Sequence, residues 1–403
     1  MQFLPKFPLH LNSIALLGLT LLLGLMGGEV AKRIRFLPQI SGYIVVGFLI
    51  GAGGFNIVNQ AALVNANIFV DISLSLILFE LGRHLDFLWL RHDRGILYMS
   101  LAESGITFII ILGALYFLAG MHVLPSVLAA TIAIATSPAV VMMVAHDLSA
   151  EGPVTRRALI LTSLNNLYAL ILFVILAPMT RSDALLNIDL VTFTAYRLFG
   201  SIFLGLVIFI IIKLIAYLTG KHKENQFVLF VGAVIFAIGF AHTLNLSSMF
   251  TLFALGVAAR NLDHQHTLME IDFGWLARLF FILLFVVTGV HLQLQGLWQA
   301  TWIVLLFIFL RLAAKIAGIW LFSKTSRLTK RQSLALSFAL FPMAGVAIGM
   351  SNILVDFNPD FGYRLLIIIT AAVAILNIIG PITAQLAFMM TGESLLNQTS
   401  EGN

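Results

Sequence analysis

Ala135-Thr136-Ser137-Pro138-Ala139-Val140-Val141-Met142 is the stretch on which the reading of this chain turns. Ser163-Leu164-Asn165-Asn166-Leu167-Tyr168 follows it on the next apolar run. Both segments stand where a membrane protein should be plain hydrocarbon. Pro138 has no N–H to donate, and its ring pushes away the carbonyl one turn back. Thr136 and Ser137 can re-satisfy freed backbone groups or face water. In lipid such a break survives only when buried in protein or lining a cavity. The paired amides of the following helix are then placed to face the same cavity. Interrupted helices of this kind build transport sites near the bilayer midplane.

Of the 403 residues, 60% are hydrophobic and 10% charged, and the mean hydropathy is +1.02. An ordinary soluble domain carries about 25% charge. These values exclude one, and no stretch is long and polar enough to form a second, soluble domain. Successive apolar runs of roughly 18 to 25 residues mark an all-α polytopic membrane protein. The 33 Phe and 31 Gly suit lipid-facing bulk and close helix packing. Gly42, Gly47 and Gly51 read most simply as such close contacts. The net charge of +5 is no nucleic-acid signal, because the basic residues sit in short loops, where they set topology. With no Cys, thiol catalysis, disulfides and thiolate metal sites are excluded. The ten His have no metal spacing, and His264-Gln265-His266 reads as a solvated loop. Ser, His and Asp are too scattered for hydrolysis. The chain therefore reads as a carrier without a cofactor and not as an enzyme. Lys6 ahead of the run 14–26 resembles a signal peptide, but no small-residue cleavage site follows, so the run reads as the first membrane helix.

The apolar runs fall at 12–32, 38–55, 66–86, 95–119, 123–147, 155–179, 190–217, 226–243, 246–260, 275–292, 299–322, 331–354 and 362–390, which predicts about 13 transmembrane helices. The pair either side of Asn245 also reads as one kinked helix. Loops after odd-numbered spans hold Lys32, Arg33 and Arg35; Arg91 and Arg94; Arg156 and Arg157; Lys221 and Lys223; Arg260 and Arg278; and Lys324, Arg327, Lys330 and Arg331. The alternate loops hold little beyond Arg181 and Arg364. The positive-inside rule then puts the N-terminus outside and the C-terminus in the cytoplasm.

An odd count of this kind divides into two halves of opposite orientation about a linker span, roughly 6+1+6. An inverted repeat should show a second interrupted helix where the first has Pro138. Ala339-Leu340-Phe341-Pro342-Met343-Ala344-Gly345 supplies it, midway through span twelve. Asn377 in span thirteen loosely mirrors the amides of span six. Two ordinary proline kinks remain the plainer reading of each break taken alone. Their recurrence in register favours two crossed, interrupted helices, with positive and negative dipole ends meeting at the centre.

Leu37-Pro38-Gln39-Ile40-Ser41-Gly42-Tyr43-Ile44-Val45-Val46-Gly47-Phe48-Leu49-Ile50-Gly51 resembles the second helix of the monovalent cation:proton antiporters of the second cation/proton antiporter superfamily, which are sodium/proton exchanger-like proteins. Leu78-Phe79-Glu80-Leu81-Gly82 with Asp86 is similar to that family's third-helix ending. Thr136-Ser137-Pro138, Phe253-Ala254-Leu255-Gly256-Val257 and Phe280-Phe281 through Gly289 also fit, and the likeness covers about residue 12 to residue 390. The resemblance implies the sodium/proton antiporter fold in one membrane domain, 1–390, and a homodimer. Residues 12–86 and 226–292 would be the dimerisation and scaffold panel, 95–179 and 299–390 the moving transport bundle, 190–217 a linker helix and 391–403 a short cytoplasmic tail. It also implies exchange of Na⁺ or K⁺ for H⁺ by elevator-like alternating access. Three departures stand out. Asn166 replaces the family's aspartate at the second place of the amide pair, Met343 stands where Lys or Arg often follows the span-twelve proline, and His84 takes the place of a usual Glu.

These residues define the candidate site. Thr136, Ser137, Pro138, Asn165, Asn166 and Met343 are candidates for binding the ion. An amide coordinates a cation through its carbonyl oxygen but does not titrate. Proton coupling then falls to another buried acid, since an intramembrane ionisable residue is a functional hypothesis by default. Glu80, near the cytoplasmic end of span three, and Glu103, a turn or two into span four, are the candidates. Arg311 and Lys315, four apart on one face of span eleven, would supply a partner for Glu103. The expected partners are a small ion (Na⁺, K⁺ or H⁺), membrane lipid and a second copy, with no nucleic acid. The expected place is the bacterial inner membrane. A transport-inactive sensor or scaffold derived from the family, and a crossed-helix carrier of an anion or organic solute, are the alternatives.

Overall fold

In a bilayer, helices gain little from the hydrophobic effect on one another, so their association rests on close packing of small residues and on interhelical hydrogen bonds. Both are visible throughout this protein. The computed structural model describes residues 13–34, 37–51, 53–55, 57, 67–180, 188–220, 223–263, 274–290, 301–343 and 345–394, and the statements below concern those residues. His264, His266, Arg35, Arg181 and Lys221, named above, lie outside them.

The first helices are α1 (Ser13–Arg33), α2 (Gln39–Ile50), α3 (Asn67–Arg83), a short α4 (Phe87–His92) and α5 (Arg94–Gly113), which continues through a π turn at Ala114–Leu118. Next come α6 (Val123–Ile134), α7 (Pro138–Asp147), α8 (Pro153–Leu176) and the long α9 (Ile188–Thr219). The remainder is α10 (Lys223–Thr243), α11 (Ser248–Leu262), α12 (Gly274–Val290), α13 (Thr301–Leu321), α14 (Lys330–Ala339), α15 (Val346–Phe357) and α16 (Pro359–Thr391). Among the described residues seven helices are long and apolar enough to cross a membrane, with α2, α11 and Leu279–Val290 shorter but apolar. The turn at Asn245, with φ +54°, separates α10 from α11, so the stretch that also read as one kinked helix is two. Ser247 caps α11 by accepting from Phe250 N–H at 3.3 Å.

Two packing groups recur. In one, α2 lies on α1 and α12, and α3 on α11 and α12. The two motifs at Gly82 and Gly256 face each other there. A Cβ on Gly82 would sit 2.3 Å from the Phe253 carbonyl oxygen, and one on Gly256 would sit 2.0 Å from that of Phe79. Only glycine lets these backbones touch. In the other group α13 packs on α5, α5 on α6, and both α14 and α15 on α16. The long α9 rests mainly on α11 and α10.

The far end of the chain closes this second group. Gly392, with φ +72°, ends α16 in the left-handed conformation, as a C-terminal glycine commonly does. The Glu393 carboxylate then accepts from Val154 N–H at 2.8 Å and Thr155 N–H at 2.7 Å. It thereby caps the start of α8, where orphan N–H groups and the helix dipole favour an anion. Residues 391–394 continue the folded body through this cap.

Candidate functional site

Pro138 does not kink a helix; it starts one. It is the first residue of α7, where a missing N–H costs nothing, and Ser137 caps that helix by accepting from Val140 N–H at 3.3 Å. Ala135, Thr136 and Ser137 form the non-helical link between α6 and α7. Phe341, Pro342 and Met343 lie in the matching link between α14 and α15. The two links touch, since Ser137 N–H donates to the Pro342 carbonyl at 3.0 Å and the Thr136 hydroxyl to the Leu340 carbonyl at 3.3 Å. An 18-residue apolar stretch within Val123–Asp147, the span that holds the first link, is 89% buried, against 33% for the corresponding stretch within Gly95–Leu118. The irregular backbone is therefore sheathed in protein, as a bilayer demands.

The carbonyls freed by the breaks are satisfied from α13 and α8. Arg311, wholly buried, donates through Nε to the Ala133 carbonyl at 2.8 Å and through Nη2 to that of Ala135 at 2.8 Å. Its Nη1 donates to the Phe341 carbonyl. One guanidinium thus binds the ends of two half-helices, and its charge opposes two C-terminal dipoles of about half a charge each. Its fork of fixed donors suits this better than an ammonium. Asn166 Nδ2 donates to the Thr136 carbonyl at 2.7 Å and to the Thr162 carbonyl at 2.8 Å. These two acceptors fix the amide's orientation, and Asn166 Oδ1 is left buried without a hydrogen-bond partner.

Beside this frame sits an ion pair. Lys315 Nζ donates to Glu103 Oε1 and to the Thr136 hydroxyl at 3.2 Å, and both charged side chains are 0% exposed. The pair forms because α5 and α13 nearly touch: a Cβ on Gly318 would sit 2.4 Å from Glu103 Cα. Asn165 Nδ2 donates to the Thr136 hydroxyl at 3.3 Å, and Asn165 Oδ1 accepts from Ser104 at 3.0 Å. One turn from Asn166, the Thr162 hydroxyl is also buried without a partner, as is that of Thr107, one turn from Glu103.

Thr136, Ser137, Pro138, Asn165, Asn166, Glu103, Arg311 and Lys315 therefore come together. Met343 is wholly buried in the second link, and among the described residues its side chain is not one of the hydrogen-bonding groups of the crossing. Glu80 stands apart. It pairs with Arg83 on its own helix at 3.1 Å, with 31% of its side chain exposed, and borders an apolar cavity lined also by Met142, Phe280 and Phe281. Asn377 is buried on α16 and makes none of the bonds that knit the crossing. Arg311 and Lys315 do not share Glu103, because Arg311 is taken up by carbonyls. Sequence spacing could not show that, since backbone acceptors about 180 residues away carry no side-chain signature.

The family model for the sodium/hydrogen exchanger, transmembrane region, matches residues 18–389. The chain belongs to the sodium/hydrogen exchanger family. The exchanger fold is also that of the sodium proton antiporter MjNhaP1 from Methanocaldococcus jannaschii at pH 8, with TM-score 0.67, 19% identity, and 97% of this chain and 99% of that one covered. A second structure of MjNhaP1, an electron-microscopy map, aligns with TM-score 0.67 and 18% identity over 96% of each chain. No curated protein matches the sequence. As a member of the exchanger family with apolar helices of membrane length, this is an integral membrane transport protein.

Proposed function

We propose that this protein exchanges a monovalent cation, Na⁺ or K⁺, for H⁺ by alternating access, with the helix crossing as its site. The observation that carries this reading is the wholly buried Glu103–Lys315 pair bonded to Thr136 in the first break. Among the described residues Glu103 is the one carboxylate bonded into the crossing. It takes over the titratable role that Asn165 and Asn166 do not fill.

The exchange follows from charge. A buried ion pair is tolerated only while each member is compensated. When Lys315 gives up its proton, Glu103 is left without a counter-charge, and a cation replaces it. Oxygens that strip a cation of its water are close by. They are the Glu103 carboxylate, the Thr136 hydroxyl and, unpartnered, Asn166 Oδ1. One proton leaves for each cation bound, so the buried charge is unchanged and exchange is one-for-one and electroneutral. Arg311 takes no part in turnover, since all three of its donor nitrogens hold carbonyls.

The two packing groups support a division into panel and moving bundle. The crossing, the ion pair and the Glu393 cap lie within 95–179 and 299–394, while the Gly82–Gly256 contact lies in the other group. We place the N-terminus outside and the C-terminus in the cytoplasm of a bacterial inner membrane, in the 6+1+6 inverted arrangement, with the panel joining two copies. The protein acts as a carrier and not as an enzyme. Purified protein in liposomes, screened with a pH dye against Na⁺, K⁺ and Li⁺, tests the reading. Cation-dependent proton flux that is independent of membrane potential and abolished by Glu103→Gln is expected. Native-level exchange by Glu103→Gln overturns it. Tags at residues 1 and 403 should report opposite sides of the membrane.

A further inference from the structure

The Glu103–Lys315 pair has no exposed surface, so a proton leaving it must be handed on through protein. Hydroxyls mark one route. Ser104, 4% exposed, lies 3.4 Å from Glu103 Oε2. One turn earlier on α5, Ser100, fully buried, donates to the Tyr168 hydroxyl at 3.3 Å. Side chains one turn apart on a helix stand about 5–6 Å from each other, a gap that one bridging water spans. Tyr168 itself is only partly buried. It packs against both of the large apolar clusters, as Met249 of α11 does from the other packing group. Tyr168 is therefore the least buried member of the series that begins at the buried pair.

We propose that Ser104, Ser100 and Tyr168 form the path by which protons leave and reach the Glu103–Lys315 pair; this rests on the antiporter reading above. Each transfer conserves atoms and charge. Lys315 Nζ passes a proton to Glu103 across their hydrogen bond and becomes neutral. Glu103 passes it to the Ser104 oxygen while Ser104 releases its own proton to the bridging water. The water passes a proton to Ser100 as it receives one, Ser100 does the same to Tyr168, and the Tyr168 proton leaves at this partly exposed end of the series. Every hydroxyl ends intact, Glu103 is again a carboxylate, and one H⁺ has been released for the incoming cation.

Tyr168→Phe and Ser100→Ala each cut the path while keeping its volume nearly constant. In liposomes both should lower turnover by about a hundredfold, the scale of a lost proton-transfer group. The apparent KM for the cation should stay unchanged, and a solvent deuterium isotope effect should appear on turnover. Tyr168→His, which restores a proton carrier, should recover much of the rate. Proton release on cation addition to detergent-purified protein should slow in the same order. Native turnover in both cut variants overturns the path. So does a slower rate accompanied by a raised KM and no isotope effect, which is the mark of lost packing. A native protein that neither exchanges nor releases protons overturns the antiporter reading first, and the path with it.

Discussion

The two breaks at the crossing are alike in backbone and unlike in chemistry. The first, at Ala135–Ser137, brings the Thr136 hydroxyl, which bonds Leu340, Asn165 and Lys315, and Ser137, which caps the next half-helix. The second, at Phe341–Met343, brings two apolar side chains and a proline, and contributes through the Phe341 and Pro342 carbonyls. One arm holds the polar side chains and the other is a rack of acceptors. Backbone symmetry at an interrupted crossing thus does not require symmetric chemistry, and the charge that a second arm would need comes here from α13.

The largest expected effect tests the joint between the two arms, which Arg311 ties together. Arg311→Met keeps volume but leaves the Ala133, Ala135 and Phe341 carbonyls without their donor. Removing one partner from a buried charged network costs about 3–5 kcal/mol. The variant should lose most folded protein, read by thermal melting on a sizing column. Arg311→Lys should recover only part, because an ammonium lacks the planar fork. A melting temperature for Arg311→Met close to native would mean that the half-helix ends hold together without it.

Next is the contrast between the arms. Thr136→Val replaces a hydroxyl with three bonds by a methyl, and each partner left unpaired in the interior costs about 1–3 kcal/mol. Met343→Leu, a volume-conserving change on the other arm, should cost under about 1.5 kcal/mol. Exchange in liposomes should be lost in the first and kept in the second. Equal losses would restore chemical symmetry to the breaks.

How far the sequence carried this depends on what kind of signal each part leaves. Pro138 and Pro342 mark the breaks because proline acts on the chain locally. The paired amides at Asn165 and Asn166 were visible because polar residues are costly in an apolar run. Gly82 and Gly256 belong to two motifs far apart in sequence, yet they meet each other. What stayed hidden was long-range. Arg311 and Lys315, four apart, read as joint partners of Glu103, but their side chains diverge to different acceptors. The Glu393 cap on α8 joins residues 238 apart or more, and nothing near Glu393 announces it. Met343 reads as a missing charge beside the proline, whereas the buried cations Arg311 and Lys315 stand on α13, which no local pattern at Pro342 signals.

Asn166→Asp puts the amide reading to a gentler test. A carboxylate would set an oxygen against the Thr136 and Thr162 carbonyls that now receive Nδ2, losing both bonds at about 1–3 kcal/mol. A cation would bridge those same oxygens, so added Na⁺ should raise the melting temperature of this variant more than that of the native protein. Ligand at a hundred times its Kd contributes about 2.7 kcal/mol. A cation-independent melt would detach Asn166 from the ion site.

The smallest effect belongs to the second intramembrane carboxylate. Glu80 and Glu103 are both Glu on apolar helices, and composition alone cannot rank them. Burial does: Glu103 is 0% exposed against a Lys from another helix, while Glu80 is 31% exposed against Arg83 one turn along its own. A same-helix pair open to solvent contributes about 0–1 kcal/mol, because its charges are screened and its side chains already restricted. Glu80→Gln should therefore shift the melting temperature only slightly and leave exchange within about twofold of native, with the apparent cation KM carrying whatever change there is. Glu103→Gln, measured alongside, should abolish exchange, because Lys315 then has no buried counter-charge. If Glu80→Gln is instead the variant that stops exchange while Glu103→Gln runs, the coupling carboxylate lies at the apolar cavity beside Met142 and Phe281, and the crossing is a structural joint.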